Sequence, residues 1–257
     1  MASGGNVIAG RTAAWVHGLW TPPPGQLIPL ELARPRDASG EPMVGTSRSR
    51  RVWRMGEDPD VLELGALRVT SPMRTCFDLM RVRQLVEAVV VADAFAFAGA
   101  VNLEQLAAYV EQHRRWPGVR RARQAVRLAD AKAASSGETR MRMVVVLSGF
   151  PEPVVNAKIL VADGARFLDL LLDKVPRPCG LEYDGIYHRE RAQRRLDLRR
   201  ENSILVGTHL PLLRYDHVSV SCEREHMVEE VVLTTGFTDV QPLRAKDFFR
   251  GPAEFGW

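Results

Sequence analysis

Three carboxylates fall in stretches that otherwise read as buried strand: Asp169 within ARFLDLLLD, and Glu182 and Asp184 within CGLEYDG. Residues two apart in a strand share a face, which groups Phe167, Asp169 and Leu171 on one side, and Glu182 with Asp184 on one side of the next strand. A charge flanked by Phe167, Leu168, Leu170 and Leu171 is out of place as scaffold unless something compensates it, and a hard divalent cation does so well. Mg2+ or Mn2+ held by Asp169 and Glu182 would position water, polarise a phosphoryl oxygen and stabilise a leaving oxygen, the elements of phosphodiester hydrolysis. A salt bridge from Asp169 to Arg166 or Arg142 is the structural alternative.

Two further residues bear on that chemistry. Gly185 permits a sharp turn after EYD, so His188 can reach back over the same end of the sheet, where an imidazole would serve as general acid or base. The alternative for His188 is an exposed residue leading into a basic helix. Glu138 follows Ser135 in the S-x-x-E spacing of a capping box, which accounts for it without a metal and leaves a role at the metal open. Downstream, RERAQRRLDLRRENSIL carries Arg191, Arg194, Arg195 and Arg199, together with Arg200, on a helix suited to contacting phosphates. Glu190, Asp197 and Glu201 also sit at spacings that allow ion pairs within the helix.

These residues need a scaffold, and the flanking sequence supplies one. A helix is expected from Ser135 to about Gly149, followed by strands VVNAKILV, ARFLDLLLD and CGLEYDG, the first two joined by an Asp163-Gly164 hairpin signal. The basic helix, a strand within HLPLLRYDHVSV and a closing helix EREHMVEEVVLTTG complete the order α-β-β-β-α-β-α. The first half reads differently. RTAAWVHGL suits a short helix, and LIPLEL suits an edge strand limited by Pro29. Ser71-Pro72 opens a helix through Met73, Cys76, Phe77 and Met80, and LVEAVVVADAFAFAGA forms the next. Asn102 caps LEQLAAYVEQ, and Pro117-Gly118 separates it from the basic helix VRRARQAVRLADA. The fold class expected is α/β (α+β), with a mainly helical region with short strands at 1–132, a central mixed sheet flanked by helices at 133–237, and a loosely attached tail at 238–257.

A chain of 257 residues, 46% of them hydrophobic, buries a real core, and its net charge of +4 is modest. The arginines are concentrated at Arg48–Arg54, Arg114–Arg127 and Arg189–Arg200, so local basic surface says more than the total. Cys76, Cys179 and Cys222 are odd in number and widely spaced, which speaks against both a disulfide framework and a zinc-ligand pair. With no membrane-length apolar run and no signal-peptide pattern, a cytoplasmic protein that does not engage a membrane is expected.

The pieces SGETRMRMVVVLSGFPEPVVN, FLDLLLD, LEYDGIYH and DLRRENSIL resemble the PD-(D/E)XK nuclease superfamily, and most closely its very-short-patch-repair-like branch. The resemblance implies a restriction-endonuclease-like fold, Asp169 and Glu182 as ligands of Mg2+ or Mn2+, and catalytic roles for Glu138, Asp184 and His188. DNA is the implied substrate, in repair or phage defence. Asp184 stands where the superfamily name expects lysine, and SILVGTHLPLLRYD replaces the usual glycine-tryptophan turn. The segments RTAAWVHGL, VTSPMRTCFDLM and VVVADAFAFAGAV resemble an AbiEi-like antitoxin region. That likeness implies a competing role as antitoxin or DNA-binding transcriptional regulator on a degenerate nuclease fold. A toxin or defence protein, or a second copy in a homodimer, completes the expected partners.

Overall fold

A computed structural model describes residues 7–22, 30–34, 52–54, 60–161, 164–185 and 209–248. The chain divides into two compact units, one running to Ala129 and taking in Phe248, the other Asp130–Asp247. Both mix helix and strand, and each has its own small mixed sheet. Among the described residues no helix is long and apolar enough to cross a membrane.

The first unit begins with β1 (Val7–Ile8) and α1 (Gly10–Val16), continues through β2 (Leu32–Arg34) and β3 (Val52–Arg54), and closes its sheet with β4 (Val61–Leu64) and β5 (Leu67–Thr70). The order across the sheet is β3-β2-β1-β5-β4. These strands are two to four residues long, too short for alternation to announce them, so a five-stranded sheet stands where the sequence reads only as a β-rich entry. Part of the LIPLEL stretch lies outside the described residues, and β2 starts at its last leucine.

Four helices follow: α2 (Pro72–Arg81), α3 (Leu85–Phe97), α4 (Leu103–Gln112) and α5 (Val119–Leu128). Their starts have local causes. Ser71 Oγ accepts from the Arg74 amide at 3.2 Å with Pro72 at the first helical position, and Asn102 Oδ1 accepts from the amides of Glu104 and Gln105 at 2.9 and 3.1 Å. Before α5, Gly118 adopts φ 80, and a Cβ there would overlap the Arg81 carbonyl, so only glycine fits this turn. Helix α3 is buried on nearly every side, which is why its sequence is apolar all round rather than striped.

Between these helices lies an enclosed ionic cluster. Fully buried Arg74 donates to Asp78 at 2.7 Å and to Asp60 at 3.2 Å, while Arg81 donates to the other Asp78 oxygen at 2.8 Å. The Tyr109 hydroxyl closes the set on Asp60 at 2.7 Å. Phe77, His113 and Trp116 pack around it, with the Arg74 guanidinium 4.6 Å from the Trp116 ring centre. Buried charges persist only when paired and hydrogen-bonded, and each carboxylate here is met on both oxygens.

The second unit opens with α6 (Ser136–Leu147) and runs through β6 (Val154–Val161), β7 (Gly164–Leu172) and β8 (Cys179–Tyr183). It continues with β9 (Leu212–Tyr215), α7 (His217–Ser221) and α8 (Arg224–Thr235), and ends in a 3-10 turn at Ala245–Asp247. The sheet order is β6-β7-β8-β9, antiparallel for the first two pairings and parallel for the last. Val161 pairs with Gly164, so β6 and β7 form an antiparallel hairpin at the position of the Asp163-Gly164 signal. Helix α6 packs on β7 and β8 and against α7 and α8. Its apolar side, including Met141, Met143, Val144 and Val145, is buried.

One expectation changes here. The segment after residue 238 is not a loose tail as far as it is described: the Gln241 amide donates to the Ser148 carbonyl at 2.9 Å, fastening it to the end of α6. The alternation expected along β7 holds: Leu168, Leu170 and Leu172 are buried, while Phe167, Asp169 and Leu171 share the less buried face. Buried Leu168 clusters with Ala157, and Leu171 and Leu212 pack against that pair. Leu168 also reaches β8 so closely that a Cβ on Gly180 would lie 2.9 Å from its Cδ1. On β6, Val155 and Ala157 pair with Leu170 and Leu168, while Asn156 between them takes φ 50, a left-handed conformation that asparagine tolerates.

Candidate acidic site on the four-stranded sheet

The β7–β8 ladder pairs Leu172 with Cys179, Leu171 with Gly180 and Leu170 with Leu181. One further step sets Asp169 across from Glu182, and there the backbone ladder stops. The Tyr183 amide donates to Asp169 Oδ2 at 2.7 Å, so a carboxylate takes the place of a strand carbonyl. Such a charge-assisted bond fixes the side chain at the sheet's end.

Glu182 is governed by its other neighbour. Parallel pairing of β8 with β9 puts Arg214 beside it, and Arg214 Nη2 donates to Glu182 Oε2 at 2.8 Å. The Arg214 and Glu182 side chains are 32% and 12% exposed, so water screens this pair less than a surface salt bridge and more than the Arg74 cluster. Asp184 lies one residue past β8, and its amide donates to the Tyr215 carbonyl at 2.8 Å, keeping the EYD run against β9.

Glu138 approaches from α6. The capping box forms: Ser135 Oγ accepts from the Glu138 amide at 3.2 Å, while Glu138 Oε2 accepts from the Ala134 amide at 3.0 Å. The same helix start rests on the strand bearing Glu182, because Gly137 lies against the Tyr183 ring and any Cβ there would overlap it. Asp169 and Glu182 therefore lie on adjacent strands, one register step past the last ladder pair, and Asp184 follows directly. Glu138 is engaged by its own helix start. His188 and the arginines 191, 194, 195 and 199 lie outside the described residues.

Burial dominates the titration of the surrounding groups. The Tyr183 phenol is pushed above its ordinary value by desolvation, with Asp216 and Asp184 adding to the shift and Arg140 opposing it. Burial, reinforced by Glu230, also raises Tyr215, and the buried Cys179 thiol is pushed up to about 11. These groups remain neutral near pH 7, which leaves carboxylates and arginine as the charged chemistry of this sheet.

Two carboxylates from neighbouring strands provide hard oxygen donors of the kind a Mg2+ ion takes, its other positions being filled by water and phosphate oxygens. The donor chemistry fits such an ion. Among the described residues, no group of three or more histidine, cysteine, aspartate or glutamate side chains is arranged to hold a metal. Arg214 is the member of the site that sequence reasoning misses. Its signal is an arginine within the strand-like run LLRYD, but only the parallel register with β8 reveals that it faces Glu182.

No family model, characterised protein or solved structure matches the chain.

Proposed function

We propose that the Asp130–Asp247 unit is a metal-dependent DNA endonuclease domain of restriction-endonuclease-like fold, hydrolysing phosphodiester bonds in repair or phage defence. The observation that carries this reading is the opposition of Asp169 and Glu182 where the β7–β8 ladder ends. The succession of α6, an antiparallel β6-β7-β8 meander and a strand parallel to β8 supports it. Asp169 and Glu182 would hold Mg2+ or Mn2+, which supplies Lewis-acid activation of phosphate and water when bound. The Tyr183 amide orients Asp169, and Arg214 holds Glu182 while placing a permanent positive charge beside an acid run that lacks the expected lysine. His188 is assigned proton transfer, with the downstream arginines on the DNA backbone. Plasmid DNA incubated with Mg2+ or Mn2+ tests the reading. Wild type nicks it, Asp169→Asn and His188→Ala nick it far more slowly, and equal nicking by all three refutes the assignment.

A second reading is favoured by one observation, the Arg214–Glu182 bond, which already neutralises a ligand that a metal would need. On it the unit is a degenerate nuclease platform in an antitoxin or DNA-binding regulator. DNA binding that survives EDTA without metal-stimulated cutting selects this reading, and co-purification identifies a toxin, a defence partner or a second copy.

A further inference from the structure

The arginine concentration at Arg114–Arg127 has no part in the acidic site, and the first unit gives it a definite shape. Where α4 turns into α5, a concavity of about 640 Å3 is lined by Arg81, Arg114, Arg115, Trp116, Arg120 and Arg121, with no carboxylate in its wall. Arginines normally occur on surfaces interspersed with acids. Here the nearby acid, Glu111, is bound to Arg123 on the neighbouring helix, at 2.5 Å.

The floor of this concavity is rigid. Arg81 is held by Asp78 at 2.8 Å and by the Pro117 carbonyl at 3.1 Å, and the Trp116 ring centre lies 4.6 Å from the Arg74 guanidinium and 5.3 Å from that of Arg81. Arg121 is anchored on the Arg83 carbonyl at 2.6 Å. The rim is different: Arg114, Arg115 and Arg120 are exposed, and among the described residues the side chains of Arg115 and Arg120 make no hydrogen bond or ion pair. A buried ionic cluster thus fixes the turn that displays unneutralised guanidinium groups on both sides of a hollow. Planar guanidinium forks match phosphate oxygens, and several of them gathered without counter-charge favour a ligand bearing repeated negative charge.

We propose that this arginine-lined hollow binds the phosphodiester backbone of duplex DNA. Arg115 and Arg120 contact phosphates, Arg114 and Arg121 flank them, and Trp116 with Arg81 forms the fixed base. The site shares its partner with the reading above but not its residues, so it stands or falls separately from Asp169 and Glu182.

Fluorescence anisotropy of the full chain with a labelled short duplex, across a salt series, tests the proposal. The double variant Arg115→Glu/Arg120→Glu is expected to weaken binding at least about tenfold and to reduce the slope of log affinity against log salt by about one for each phosphate no longer neutralised. The Arg115→Lys/Arg120→Lys variant retains most of that slope. Affinity and slope equal to wild type in the double Glu variant overturn the proposal. So does displacement of the duplex by equimolar inorganic pyrophosphate, which would mark a small-anion pocket instead.

Discussion

The two units handle charge in opposite ways. In the first, Arg74, Asp78, Arg81 and Asp60 are enclosed, and every carboxylate oxygen meets a guanidinium or the Tyr109 hydroxyl. In the second, Asp169 and Glu182 stand at the end of a ladder, the one held by a backbone amide and the other by a partly exposed arginine. Closed networks hold a fold together because no outside group can compete for their members. Acids at a strand end, half-shielded from water, keep capacity for an incoming ligand.

The comparison can be broken most forcefully at Asp78. Asp78→Ala leaves two buried guanidinium groups without their shared carboxylate and is expected to destabilise the first unit by about 3–5 kcal/mol, read by urea denaturation. A loss no larger than that of a surface substitution would remove the distinction between the units. Asp169→Asn is expected to show the reverse pattern. It changes stability little because the shape and one acceptor remain, but lowers metal-dependent nicking about a hundredfold, roughly 2.7 kcal/mol of transition-state stabilisation.

Arg214→Met sharpens the same contrast. Freed from its guanidinium, Glu182 should bind Mn2+ about tenfold more tightly by calorimetry if the carboxylates are a metal site, whereas unchanged affinity would support the degenerate platform. The smallest effect concerns pH. Because the Cys179 thiol titrates at about 11 in the fold and near its ordinary value when unfolded, the unfolded chain loses its proton first as pH rises. Stability is therefore full below the unfolded pKa and declines above it, by about 1 kcal/mol at pH 10 from this thiol. A thermal melt series in Cys179→Ala should lack that part of the decline.

Much of the second unit was legible because its signals are local. The Ser135–Glu138 capping box, the Asp163-Gly164 hairpin signal and the long strands each declare themselves within about ten residues. The first unit's sheet was not, since a strand as short as Val7–Ile8 gains its identity from partners far along the chain, Ala33 and Val69. The acidic site was legible in its acids and hidden in its cation. Asp169 and Glu182 stood out as charges within apolar runs, but Arg214 is 32 residues from its partner and reaches it only through a parallel pairing that no short-range pattern encodes. The left-handed backbone of Asn156 on the opposing strand was likewise invisible, because the alternation of β6 continues on both sides of it.

Gly137 joins the helix and the acid-bearing strand so closely that its missing side chain sets their separation. A single methyl added there overlaps the Tyr183 ring, so Gly137→Ala must displace the ring or part the helix start from the strand end that carries Glu182, without altering any charge. The position serves as a spacer of zero thickness between α6 and the acid-bearing strand.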